Sequence, residues 1–134
     1  MQKIIKILVI DKEEIILKSF KKALKSDANI EYTITTCNTA LEGLKLIRSD
    51  TFDIVFVDLV LPGMNGIEVL RRIKNIYPAV FVIIMSGFVS VGINPESNGK
   101  SNYSNNSLSS AAGFLTKPFT TEELKSLVSK IIVK

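Results

Sequence analysis

Short apolar runs alternate along the chain with stretches in which apolar residues recur every three or four positions. Lys3 to Ile10 carries Ile4, Ile5, Ile7, Leu8, Val9 and Ile10, a continuous run that predicts a strand buried on both faces, and it ends at an acid, Asp11. Glu13 to Ser26 places Ile16, Phe20, Ala23 and Leu24 on one face with lysines opposite, the spacing of an amphipathic helix, and Asp27 to Asn29 closes it. Glu31 to Thr36 alternates Tyr32 and Ile34 with polar threonines, which suits a second strand nearer the sheet edge. Thr39, with Glu42 three residues later, predicts a capping box ahead of a helix that buries Ala40, Leu44 and Ile47. Ile54 to Val57 forms a third apolar run, stopped by Asp58 and followed by the turn residues Pro62, Gly63 and Gly66. Val69, Leu70, Ile73 and Ile76 then mark a third helix, ended by Tyr77-Pro78. Val80 to Met85 predicts a fourth strand and Gly113 to Thr116 a short fifth one. Thr120 with Glu123 opens a last helix whose inner face is Leu124, Leu127, Val128 and Ile131.

This alternation predicts an α/β fold, a parallel sheet with helices on both faces joined by right-handed crossovers. Regularity is lost across 94–110, NPESNGKSNYSNNSLSS, where Ser, Asn and Gly cannot bury enough apolar surface to offset the entropy of ordering them. That tract reads as a long polar insertion, with a short helical turn near Leu108 to Ala112 as the alternative.

Composition narrows the function classes. At 134 residues, 46% hydrophobic and 22% charged, the chain has the size and makeup of a single soluble domain spanning 1–134. Its apolar runs are far shorter than the roughly 18 residues needed to span a bilayer, so no membrane association is expected. The N-terminal run meets Asp11-Lys12-Glu13 without a small-residue cleavage site, so it is not read as a signal peptide, and a cytoplasmic location is expected. The net charge of +4 comes from lysines scattered over helix exteriors, with no basic stretch interleaved with aromatics, which argues against direct nucleic-acid binding. Cys37, the single cysteine, is expected to fill space as a small buried hydrophobe.

Candidate chemistry collects at the predicted strand ends: Asp11 with Glu13 after the first, Asp58 after the third, Ser86 after the fourth and Lys117 after the fifth. In an open parallel sheet, sites gather outside these carboxyl ends. A cluster of carboxylates can hold a hard cation such as Mg2+, while a lysine and a hydroxyl beside it can hold an anionic group. Together they describe a phosphoryl-transfer site in which one carboxylate is the nucleophile. The alternative for Asp58 alone is an acid that caps the loop following its strand.

Four segments, ILVIDKEE, DIVFVDLVLPGMNG, VIIMSG and GFLTKPF, occur in order at the ends of strands one, three, four and five. In these the chain resembles the receiver domain of two-component response regulators over essentially its full length. The resemblance implies a flavodoxin-like five-stranded parallel sheet in the order 2-1-3-4-5, with the helix between strands four and five short or replaced by the polar loop. It implies that Asp58 accepts a phosphoryl group from a phosphohistidine on a sensor histidine kinase or histidine phosphotransfer protein. Asp11 and the backbone carbonyl of Val60 would help place Mg2+, with Asp58 itself as a ligand. Ser86 would bond a phosphoryl oxygen, Lys117 would pair with its charge, and Phe114 would be the aromatic that swings inward as the hydroxyl moves. For Phe114, plain core packing is the other reading. The Lys117-Pro118 bond is often cis in the family. Such a domain is a switch that acts on a C-terminal output domain or a downstream protein. It does not turn over substrate as an enzyme, beyond its own phosphotransfer and slow autodephosphorylation.

The chain departs from the family in two places. Receivers usually carry two adjacent acids after strand one, the second a direct metal ligand, whereas this chain reads Asp11-Lys12. Either Glu13 supplies the missing oxygen, or the Lys12 ammonium settles near Asp58 and stands in for the metal, or Lys12 points into solvent. The step from Ser86 to Lys117 is also longer than usual, and the excess is the tract 94–110. Hence a degenerate receiver, an interaction module independent of phosphorylation, is the alternative function. A flavodoxin-type cofactor binder is disfavoured because Asp11-Lys12-Glu13-Glu14 would repel a flavin phosphate. A haloacid-dehalogenase-like phosphatase is disfavoured because Val60 stands where its second Asp would be.

Overall fold

A computed structural model of the protein describes residues 2–87 and 110–132. Its elements run β1 (Lys3–Ile10), α1 (Glu14–Ala23), β2 (Ile30–Cys37), α2 (Ala40–Ser49), β3 (Ile54–Asp58), α3 (Gly66–Ile76), β4 (Phe81–Ser86), β5 (Gly113–Thr116) and α4 (Thr121–Ile132). All neighbouring strands pair in parallel, in the order β2-β1-β3-β4-β5. The polar tract 94–110, apart from Ser110, lies outside the described residues, as does any helix between β4 and β5; of the turn expected near Leu108 to Ala112, residues 110–112 are described and are not helical, and the Ala112 N–H instead donates to the Val82 carbonyl.

Side chains alternate across the sheet and so feed two cores. Leu8, Ile10, Val55, Val57, Val82 and Ile84 face α2 and α3, meeting Leu44, Ile47, Val69, Leu70 and Ile73. Ile5, Ile7, Val9, Phe56, Ile83 and Met85 face α1 and α4, meeting Leu17, Phe20, Leu124 and Val128. This is why β1, β3 and β4 read as continuous apolar runs: past the exposed strand starts at Ile4 and Phe81, nearly every residue is covered on whichever side it points. Phe20 anchors the second core edge-on to Phe56 and Phe119, with ring centroids 4.7 and 5.5 Å away.

Helices α2, α3 and α4 start at side-chain caps, whereas Glu13 at the start of α1 makes no side-chain capping bond. Thr120 and Glu123 form the full reciprocal box, each side chain accepting from the other's backbone N–H. At α2 only half of the expected box forms: the Glu42 N–H bonds the Thr39 hydroxyl, with no return bond from the Glu42 carboxylate. Asn65, which the apolar pattern did not single out, caps α3 by accepting from the Glu68 N–H. Helix α1 is shorter than predicted, ending at Ala23, and its buried positions are Leu17, Phe20 and Ala23, with Ile16 only half buried. Three consecutive apolar residues, Ile15, Ile16 and Leu17, leave the phase of a helix ambiguous, and packing selects Leu17.

Candidate functional site

Register places the chemistry. Ile10 pairs with Val57, Asp58 with Met85, and Ser86 with Thr116, so β1, β3, β4 and β5 terminate at one level of the sheet. Backbone bonds continue past the strand ends: Asp11 N–H donates to the Cys37 carbonyl, Leu59 N–H to Met85 and Lys117 N–H to Ser86. The four functional positions are therefore held by the sheet itself.

At this level Asp11 is fully buried and Asp58 is 3% exposed. Lys117, on the far strand, reaches back across the sheet. Its Nζ lies 2.8 Å from Glu13 Oε1, 3.0 Å from Asp11 Oδ2 and 3.4 Å from Asp58 Oδ2. Asp11 Oδ1 in turn accepts from the Glu13 N–H at 2.8 Å, and Asp58 Oδ1 accepts from the Val60 N–H at 3.4 Å. Ser86 is buried at the end of β4. The predicted residues Asp11, Glu13, Asp58 and Lys117 are thus brought into direct contact, with Ser86 at the adjoining strand end and Val60 on the loop leaving β3.

Lys12 is exposed and makes no ion pair among the described residues. Of the alternatives open from sequence, the ammonium beside Asp58 is that of Lys117. The charge of Lys12 is still felt at Glu13, whose carboxyl lies below its ordinary range, first through the bond and charge of Lys117 and then through Lys12. Phe114 is half buried against the core shared with α2 and α3. The Lys117-Pro118 bond is cis.

The electrostatics follow from crowding acids in a dry place. Burial pushes the Asp58 carboxyl above its usual range and the Asp11 charge pushes the same way, against the pull of Lys117 and the Val60 N–H. Burial also works against the Lys117 ammonium. Bonds to Glu13 and Asp11, with the charges of Asp11 and Asp58, outweigh it and raise its pKa. One oxygen from each of Asp11, Glu13 and Asp58 can be chosen so that all three lie within 4.8 Å of one another. That hard-oxygen donor set, partly lined by solvent at Glu13, fits a magnesium-like cation that keeps some of its waters.

Cys37 is buried and its thiol is pushed up to about 12, chiefly by burial, in keeping with its expected packing role. No helix among the described residues is long and apolar enough to cross a membrane. Sequence reading did not find the bond between Glu13 and Lys117 or the close approach of Gly66 to the β3 end. Only the second left a local trace, an Asn-Gly pair directly ahead of an apolar-periodic segment.

A parallel 2-1-3-4-5 sheet with acids after β1 and on β3, and a lysine after β5, defines a flavodoxin-like α/β domain with a charged site at its strand ends. More narrowly, the chain belongs to the response regulator receiver domain family, whose model matches residues 7–129. It is 25% identical to the response regulator receiver protein CpdR of Brucella abortus, over 92% of this chain and 89% of that protein. It is 29% identical to the cell cycle response regulator CtrA of Brucella ovis over 95% of its own length, but spans only about half, 50%, of CtrA. Among solved structures it is similar to the response regulator protein TrrA of Thermotoga maritima in complex with Mg(2+)-BeF. That match has 28% identity, a TM-score of 0.74, and coverage of 95% of this chain and 98% of that one.

Proposed function

We propose that Asp58 is the phosphoacceptor of a two-component phosphorelay. One observation carries the reading: a buried carboxylate of raised pKa at the end of β3, with the Lys117 ammonium 3.4 Å away and two further acids beside it. In the reaction an Asp58 oxygen attacks the phosphorus of a phosphohistidine on a sensor kinase or phosphotransfer protein. The new P–O bond forms as the P–N bond breaks, and the imidazole leaves with the electron pair. Asp11, Glu13, Asp58 and the Val60 carbonyl would hold Mg2+. The cation would supply neutralisation of phosphoryl charge. Lys117 pairs with the transferred group, and Ser86 donates its hydroxyl to a phosphoryl oxygen. A groove of about 450 Å³ lined by Glu13, Ile15, Ser19, Lys117, Pro118 and Phe119 opens beside the site and gives a donor side chain room to approach.

Phosphorylation adds charge where Lys117 now binds carboxylates, and a differential of a few kcal/mol between two conformers changes their populations substantially. Phe114 is the side chain that reports this shift to the β5 edge. We infer a single receiver domain over 1–134 acting in the cytoplasm. It is a switch for an attached or separate output partner, with no turnover chemistry beyond its own phosphotransfer and slow autodephosphorylation. The second reading, a receiver that works without phosphorylation, is favoured by Lys12 at the place of the second acid. Intact-mass spectrometry after incubation with acetyl phosphate and Mg2+ separates them. The expected result is one added phosphoryl group on the wild type and none on Asp58→Asn. Absence of the adduct from the wild type, with partner binding unaltered in Asp58→Asn, favours the second.

A further inference from the structure

Lys117 meets three carboxylates at once, donating hydrogen bonds to Asp11 and Glu13 and lying 3.4 Å from Asp58 as an ion pair. The same three acids are those whose oxygens converge within 4.8 Å. The ammonium therefore already sits on the carboxylates that a divalent cation would need. Asp11 and Asp58 are buried and tied to the strand ends. Glu13 differs from both. Its side chain is 50% exposed, it stands at the start of α1 without making a capping bond, and it borders the open groove. It can reorient without moving buried backbone. The neighbouring position that carries an acid in most receivers is here the exposed Lys12.

We propose that Glu13 is the exchange residue of this site: its carboxylate holds Lys117 among the acids and, once Lys117 is displaced, serves as the third carboxylate toward a divalent cation. Lys117 and the cation then compete for one set of oxygens, and the tethered ammonium sets the cation concentration at which the site is filled. This deepens the phosphoacceptor reading and depends on it for the choice of cation, but not for the competition.

The test uses the intact chain without phosphodonor. Mg2+ binding is followed by calorimetry, Mn2+ binding by water-proton relaxation, and the Lys117 side-chain ammonium by NMR. Saturating Mg2+ is expected to shift or broaden the Lys117 signal in the wild type. Glu13→Gln is expected to weaken cation binding by about 10 to 100-fold, with Glu13→Asp recovering part of it. Lys117→Met is expected to tighten binding by about tenfold. A Lys117 signal indifferent to saturating Mg2+, or Glu13→Gln with wild-type affinity, overturns the proposal. If Lys117→Met does not fold, the wild-type NMR and the Glu13 variants decide alone. Acyl phosphate formation is measured separately: competition without any adduct sinks the phosphoacceptor reading and leaves Glu13's role standing, and an adduct without competition does the reverse.

Discussion

Replacing Asp58 by Asn removes one charge from the most crowded part of the molecule while keeping the side chain's shape. One oxygen of Asp58 lies within 4.8 Å of one of Asp11, and at an effective dielectric of 20 charges no farther apart than that repel by at least about 3.5 kcal/mol. The attraction between Asp58 and Lys117 at 3.4 Å is about 5 kcal/mol on the same scale. These pair energies leave at most a small net attraction. Against it stand the desolvation of a carboxylate that is 3% exposed, which costs several kcal/mol, and a further screened repulsion from Glu13. The balance is unfavourable, in agreement with the raised pKa of Asp58. Asp58→Asn is therefore expected to stabilise the metal-free domain by about 1–2 kcal/mol, or roughly 3–10 °C in Tm for a domain of this size. The sign with pH follows from linkage. An acid whose folded pKa is raised above its unfolded value costs stability once ionised, so the advantage of Asn is full above the raised pKa of Asp58. It shrinks as the pH falls through the raised pKa of Asp58 toward the ordinary carboxylate range. Urea unfolding in EDTA at pH 7 and at successively lower pH measures it. A variant less stable than wild type at pH 7, or an advantage that grows on acidification, refutes the reasoning and shows that Lys117 outweighs burial and repulsion.

Three further outcomes follow from the packing. A Cβ on Gly66 would lie 2.8 Å from Leu59 Cα and closer still to the Asp58 carbonyl oxygen. Gly66→Ala should thus cost about 1–3 kcal/mol in urea unfolding, and a neutral effect would show that the β3 end yields easily. Phe20→Ala, which empties a site between two rings in the α1 and α4 core, should cost about 3–5 kcal/mol. A loss below about 1 kcal/mol would mean the core collapses into the space. With its thiol near 12 and buried, Cys37 should resist iodoacetamide at pH 8 in the folded protein and react on unfolding in urea; rapid native labelling would contradict its burial.

The inner strands β1, β3 and β4 were legible because most of their residues are buried on both faces, and their apolar runs stop at chemically distinct residues, Asp11, Asp58 and Ser86. The amphipathic helices were legible in type but not in phase. In α1 the run Ile15, Ile16, Leu17 offers three possible inward directions, and the structure leaves Ile15 75% exposed while burying Leu17. The site was legible as a set of strand ends but not as a network. Nothing in the spacing of Glu13 and Lys117, which are 104 residues apart, announces that they touch at 2.8 Å. Nor does composition say whether Lys12 or Lys117 neutralises the acids. That is decided by the direction in which each chain leaves its strand.

The short edge strand β5 has only four residues in its ladder. Beyond that ladder it is moored to the interior of the sheet through the ammonium of its next residue, which spans from the margin to β1 and β3. The margin is thus secured by a charge balance rather than by length. Whatever alters the electrical load on those acids also alters the tension on the mooring, and a local chemical event is converted into slack or pull at the rim of the sheet.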